Sequence, residues 1–315
     1  MKHSNDQTAG RVHILLALYN GARHLQEQLH SYVRQTHADW GLIVSDDGSQ
    51  DDGLVLLEQF RALQPLHEIR VCTGPGQGFV RNFFSLLLAV PRDASHAALS
   101  DQDDVWFDDK LERALAALAG VPVGTPALYC ARTLICDADL RPLGPSPDFA
   151  RVPDFRNALV QSIGGGNTMV LNRAALDLVQ QAIPEAQEAV AHDWWLYQII
   201  TGCGGMVLRD STPVLHYRQH GGNLIGANLS ARARLERIAM ILSRRFQRWN
   251  DINIAALSRS RARLTAQAQT ALDHYAAARS GGLWHRLRHL RASGVYRQSR
   301  LGTVALYVAC ILGRL

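Results

Sequence analysis

Three carboxylates, Asp101, Asp103 and Asp104, fall within four residues directly after the apolar run Ala97 to Leu99. Their mutual repulsion is costly unless a cation or hydrogen-bond donors answer it. Clustered hard oxygen ligands suit Mg²⁺ or Mn²⁺, above all when phosphate oxygens complete the coordination. An isolated D-x-D reads more readily as an acidic turn that caps the next helix. Other segments of the chain decide between the two. Ser45-Asp46-Asp47-Gly48-Ser49 also follows an apolar run, Trp40 to Val44, and Tyr19-Asn20-Gly21 follows Val12 to Leu18. Further on stand the glycine-rich Gly74-Pro75-Gly76-Gln77-Gly78, then Gly164-Gly165-Gly166-Asn167, His192-Asp193-Trp194-Trp195, and Tyr217-Arg218-Gln219-His220-Gly221-Gly222-Asn223.

These groups need elements to position them. Val12–Leu18, Trp40–Val44, Glu68–Cys72 and 97–100 read as buried strands, each followed by a stretch of helical periodicity. Strands alternating with helices imply βα units and a mostly parallel sheet, with ligands bound outside the strands' carboxyl ends. Tyr19-Asn20, Asp46-Asp47 and Asp101 to Asp104 are therefore expected on one sheet edge. Leu128–Cys136 reads as a further strand, Met206–Leu208 and Val214–Tyr217 as two short ones. Three consecutive glycines at 164–166 permit unusual dihedrals and close approach to a ligand, or make a plain turn. Asp193 at a helix start is a helix cap or a catalytic carboxylate.

Together these motifs resemble the family-two, GT-A-fold glycosyltransferases, and in particular their rhamnosyltransferase-like branch. The resemblance spans about residues 11–226 and rests on Ala17 to Gly21, Ser45 to Ser49, Gly78-Phe79-Val80-Arg81-Asn82-Phe83, Ser100 to Trp106, Gly166 to Met169, His192 to Trp195 and Tyr217 to Asn223. It implies a GT-A, Rossmann-like α/β domain over residues 1–229. It also implies metal-dependent, inverting transfer of a sugar from a nucleoside diphosphate to a hydroxyl, dTDP-rhamnose being the first guess and a UDP-sugar the second. Tyr19, Asn20, Asp46 and Asp47 match the nucleobase- and ribose-binding positions. Gly78, Arg81 and Asn82 match the segment over the nucleotide, and Asp101 and Gln102 complete the donor site. Asp101, Asp103 and His220 match the ligands of a Mn²⁺ or Mg²⁺ ion. Asp193 matches the general base, with Gly165, Gly166, Asn167, Trp194 and Trp195 on the acceptor side. Many relatives carry Glu-Asp where this chain has His192-Asp193. A sugar-nucleotide pyrophosphorylase would open on a G-x-G-T-R-like loop, and Leu18-Tyr19-Asn20-Gly21 is not one. A non-catalytic membrane-associated scaffold would have no use for Asp101, Asp103, Asp193 and His220 together.

Charge divides the chain differently. Residues 231–315 hold sixteen Arg and no Lys against Glu236, Asp251 and Asp273, whereas residues 1–230 hold seventeen basic and twenty-five acidic residues. Residues 230–315 are therefore expected to form a basic, helical C-terminal region for membrane-surface attachment, oligomerisation as a homodimer, or both. Leu301 to Leu312 is a dozen residues, too short for a bilayer that needs roughly twenty. Nucleic acid is not expected, because no binding motif accompanies the charge. Five scattered cysteines without metal spacing and a polar start without a signal-peptide pattern fit a cytoplasmic protein, peripheral on the inner membrane face, acting on saccharide or lipid-linked saccharide acceptors.

Overall fold

The computed structural model describes residues 10–219 and 243–315. Its first half runs β1 (Val12–Leu18), α1 (Ala22–Val33), β2 (Trp40–Asp46), α2 (Gly53–Leu63), β3 (Ile69–Thr73), α3 (Phe79–Ala89) and β4 (His96–Ser100). Then come β5 (Val105–Trp106), α4 (Lys110–Leu118), β6 (Ala127–Cys136), β7 (Pro142–Pro145), α5 (Phe155–Ala158), β8 (Val170–Asn172), α6 (Arg173–Ala182), α7 (His192–Gly202) and β9 (Met206–Arg218). Four helices close the described chain: α8 (Arg244–Arg259), α9 (Ala266–Ala277), α10 (Leu283–Ser293) and α11 (Arg300–Ile311). Side-chain caps start several of them. Asn172 accepts the Ala175 N–H at α6, Thr265 that of Ala268 at α9, and Ser299 that of Gly302 at α11.

The strands form one sheet in the order β3-β2-β1-β4-β8-β6-β9-β5, with β7 on β6. From β3 to β4 every pairing is parallel, as the apolar runs imply. Beyond β4 the expected parallel sheet gives way to a mixed one: β8 is antiparallel to both β4 and β6, and β5 to β9, while β6 and β9 are parallel. The reason lies in the Gly164–Gly166 loop. It sits at the carboxyl edge, so the strand leaving it must run back towards the opposite edge. The two strands expected within 206–217 are one strand, β9, whose register slips opposite Ala131 to Leu134.

Alternate residues of β1 serve two cores. Val12, Ile14 and Leu16 face α1, α2 and α4, and Leu15 faces α3, α6 and α7. The second core continues without a break into Phe246, Leu257, Leu272, Tyr275, Leu290, Leu306 and Cys310 of the C-terminal helices. The expected boundary near residue 230 therefore divides composition and not packing. Residues 220–242, among them the start of the expected basic stripe, lie outside the described residues.

Candidate active site

The sheet register brings the acidic turns to one edge. Leu18 of β1 pairs with Asp46 of β2, and Leu16 with Ser100 of β4. Tyr19, Asp47 and Asp101 consequently leave adjacent strands side by side. The turn after β1 is built by side chains from its neighbours. Gln102 accepts the Tyr19 N–H at 2.8 Å and donates to the Tyr19 carbonyl at 3.0 Å. Asn20 takes the left-handed region (φ 49°) that its residue type tolerates, and its Oδ1 accepts the Gln50 N–H at 2.8 Å. The Tyr19 side chain stays exposed at this edge.

The second turn grips the third. Asp46 is buried and accepts the Ser49 N–H, closing its own turn. Asp47 accepts from Gly76 N–H at 2.7 Å and Gly78 N–H at 2.8 Å, one per carboxylate oxygen. Gly76 and Gly78 both have positive φ, with open space where a side chain would sit. Asn82 is buried and donates to the Ser45 carbonyl at 2.9 Å, bracing α3 against the end of β2. Gln102, Asn82 and one face of Asp47 thus serve as struts of the pocket, where the sequence suggested direct donor contact. Arg81, half-buried on the first turn of α3, makes no hydrogen bond or ion pair with the described residues and remains available to an anion.

The D-x-D lies between β4 and β5. Burial first, then the charges of Asp103 and Asp193, raise Asp101 to about 7, and Lys110 pulls it back. Asp104 has no exposed surface, and burial followed by Asp101 and Asp103 pushes its carboxyl well up. Asn167 Nδ2 donates to Asp104 at 2.6 Å. The ammonium of Lys110, equally buried, donates to the Asn167 carbonyl at 2.7 Å and lies 3.1 Å above the Trp106 ring centroid. Desolvation lowers Lys110, while Asp104 and Asp101 favour its charge. Arg218, 3% exposed at the end of β9, donates to the carbonyls of Asp103 (3.0 Å) and Ala138 (2.6 Å) and pairs with Glu27. The backbone of the D-x-D is therefore fixed from across the sheet.

Asp193 opens α7 and faces the same acids. Trp194 N–H donates to its Oδ1 at 2.6 Å, and Gly166 N–H also contributes. Burial outweighs these donors and raises the carboxyl to about 6. The His192 ring beside it stacks on Phe83 at 3.9 Å, buried with no hydrogen-bond partner on either nitrogen, and burial lowers it to about 3. The ring explains Gly166, because a Cβ there would stand 2.2 Å from His192 Nε2. None of Gly164, Gly165 and Gly166 has positive φ, so glycine at 166 is demanded by packing and not by dihedrals. The expectation that Trp194 and Trp195 touch the acceptor is corrected here. Trp195 is fully buried edge-on to Phe84, and Trp194 is 7% exposed with its Nε1–H on the Ala158 carbonyl. Both rings are core because α7 is covered on all sides, by the sheet, α6 and α8.

The donor set suits a hard cation. Asp101 lies close enough to Asp103 and Asp193 for their charges to raise it, a repulsion that a divalent ion would relieve. Among the described residues no three His, Cys, Asp or Glu converge on one point, and His220 lies outside them. One or two carboxylates completed by phosphate oxygens is a habitual arrangement for Mg²⁺. Sequence reasoning missed Asp104, Lys110 and Arg218 as a support. Their partners are 57 to 191 residues away, and no local pattern announces them.

Residues 13–142 match the family model described as glycosyl transferase family 2. Over 241 residues the chain is 27% identical to the dTDP-rhamnosyl transferase RfbG of Shigella flexneri, covering 74% of this chain and 81% of that protein. Its fold is similar to that of S. aureus TarS 1-349 in complex with UDP-GlcNAc, with a TM-score of 0.54 at 15% identity, over 91% of this chain and 93% of that one. It is also similar to the mannosyltransferase PcManGT from Pyrobaculum calidifontis in complex with GDP-Man and Mn²⁺, with a TM-score of 0.51 at 16% identity, over 96% and 85%.

Proposed function

With a glycosyl transferase family 2 domain over residues 13–142 and a GT-A fold around it, the chain is a glycosyltransferase, and we propose that it is metal-dependent and inverting. The observation that carries this reading is the meeting of Asp193 with the D-x-D: the Gly166 N–H donates to Asp193 while the next residue, Asn167, donates to Asp104 at 2.6 Å, and burial raises the Asp193 carboxyl to about 6. A carboxylate so tuned is ionised at neutral pH yet basic enough to take a hydroxyl proton.

The donor is a nucleoside diphosphate sugar. Its base and ribose meet Tyr19 and Asn20 and the Asp46–Asp47 turn, and Arg81 offers its guanidinium to a phosphate or ribose oxygen. Likeness to RfbG favours dTDP-rhamnose, with a UDP-sugar as the second choice. Asp101 and Asp103, joined by His220, would hold a Mn²⁺ or Mg²⁺ ion, which would offset charge on the departing diphosphate as a Lewis acid. Asp193 receives the proton of the acceptor hydroxyl as that oxygen attacks the anomeric carbon from the face opposite the diphosphate. The C–O bond to the leaving phosphate breaks in the same step, so configuration inverts. The acceptor, a growing surface polysaccharide or a lipid-linked saccharide, enters beside the exposed Gly165, while Asn167, expected on the acceptor side, is buried and braces Asp104 and Lys110 from behind.

Asp193→Asn tests the assignment. The near-isosteric amide keeps the fold and the metal-dependent donor affinity, and transfer falls by about 10²–10⁴-fold. Were Asp193 a helix cap alone, Asn would serve as well and turnover at saturating donor would stay near the parental rate.

A further inference from the structure

The exposed face of α11 carries a feature that sugar transfer does not use. Leu301, Val304, Val308 and Ile311 are all exposed, at successive spacings of three, four and three residues, and so form one stripe along the helix. The opposite side of the same helix, with Ala305, Leu306, Ala309 and Cys310, is buried in the shared core. The stripe is thus not a frayed end but the outer surface of a docked helix. At its far end Arg286 donates to the Ile311 carbonyl at 3.2 Å, which brings the start of α10 alongside. There Trp284 is 83% exposed. These helices carry charge of one sign, and the exposed Asp251, which Arg279 brings near the C-terminal Leu315, is paired with that arginine. From His274 to Leu315 the chain holds seven Arg and no acid, and Arg288, Arg291, Arg300 and Arg314 are exposed.

We propose that this face of α10 and α11 docks on an anionic lipid bilayer. A solvent-facing aliphatic stripe with a Trp at its end and arginines around it matches a helix lying in the headgroup plane. Twelve residues of helix cannot cross a bilayer, and no described helix is long and apolar enough to do so. A second copy of the chain is the poorer occupant, because a two-fold contact sets two arginine-rich helix pairs against each other. The docked face is also tied to the acceptor side. Between α10 and α11, the Tyr296 carbonyl accepts from Asn157 at 2.9 Å and Gln298 N–H donates to Gln161 at 2.9 Å. The segment they hold leads into the Gly164–Gly166 loop, so docking fixes how that loop stands above the lipid. The proposal rests on this face and holds whichever sugar is moved.

The test uses the full chain and flotation with phosphatidylcholine vesicles containing about 30% phosphatidylglycerol, against phosphatidylcholine alone. Binding to the anionic vesicles is expected to be at least roughly tenfold tighter, and to fall as salt rises from about 0.1 M to 1 M. Val304→Gln with Val308→Gln should lose most of it. Spin-labelled lipid should quench the fluorescence of the parent and leave that of Trp284→Phe unaffected, a readout that does not depend on the double variant folding. Equal flotation of parent and double variant, no flotation of the parent, or no quenching attributable to Trp284 overturns the proposal. So does a parental dimer in sedimentation that Val304→Gln converts to monomer, which would assign the face to a second copy.

Discussion

The carboxyl edge of the sheet and the C-terminal helices are both strongly charged, and they handle charge in opposite ways. At the sheet edge charge is withdrawn from water and acids predominate: Asp101, Asp104 and Asp193 are all pushed up by desolvation, with Lys110 and Arg218 as buried cations among them. In the C-terminal helices most arginines sit on the surface, while the interior packs Leu272, Tyr275 and Leu306 around the buried amides of Asn250 and Asn253. The first region holds repulsion that a ligand can relieve; the second advertises attraction to whatever lies outside. Composition alone, acidic before residue 230 and basic after it, does not distinguish those two uses.

The comparison can be broken most severely at Asp103. If the edge exists to receive a cation, Asp103→Ala should lower transfer by about 10³-fold or more. Calorimetry should show that metal-dependent nucleotide affinity drops and metal-free affinity does not. Equal metal-dependent affinity in variant and parent would show that Asp103 holds no cation. Gly166→Ala comes next. Its Cβ would meet the His192 ring, which is packed on Phe83, so the start of α7 must move. A displacement of that kind should cost about 10²-fold in transfer rate while donor affinity is kept.

A smaller effect is read from pH. Asp193 is effective only when ionised, and burial places its titration at about 6. Below that pH, kcat/KM should fall about tenfold per unit, and added Mn²⁺ should move the limb to lower pH because a nearby cation favours the carboxylate. A limb near 4 without metal would show that Asp193 is not the titrating base. The least effect on chemistry belongs to Leu306→Ala, in the interior of α11. It should cost about 2–5 kcal/mol of stability and lower one cooperative melting transition. A separate early transition confined to the C-terminal helices would restore the boundary that composition suggests.

The half of the sheet that carries the D-x-D was legible because each parallel strand is a continuous apolar run ending in a polar turn. Val12–Leu18, Trp40–Asp46 and His96–Ser100 announce themselves, and parallel strands share a carboxyl edge by construction. The location of Asp101, Asp103 and Asp193 follows from that rule and from the resemblance. What escaped were the contacts between distant segments. Nothing local distinguishes Gln102 as a strut from Gln102 as a ligand, or shows that Trp194 meets Trp249 of a later helix while Trp195 packs on Phe84 of an earlier one. β8, three residues long, is too short for its alternation to be read, and so the turn to antiparallel pairing was hidden.

The two residues of β5 have a consequence for how the protein is made. Val105 and Trp106 follow the D-x-D directly, and their strand partners are His216 and Leu215, more than a hundred positions later. Arg218, which holds the Asp103 carbonyl, is later still. A nascent chain can lay down β1 to β4 early, but the acidic loop stays unfastened on one side until residue 218 has left the ribosome. Unfinished chains, even with β1 to β4 in place, therefore lack the strand partner and the Arg218 contact that fix the backbone around Asp103.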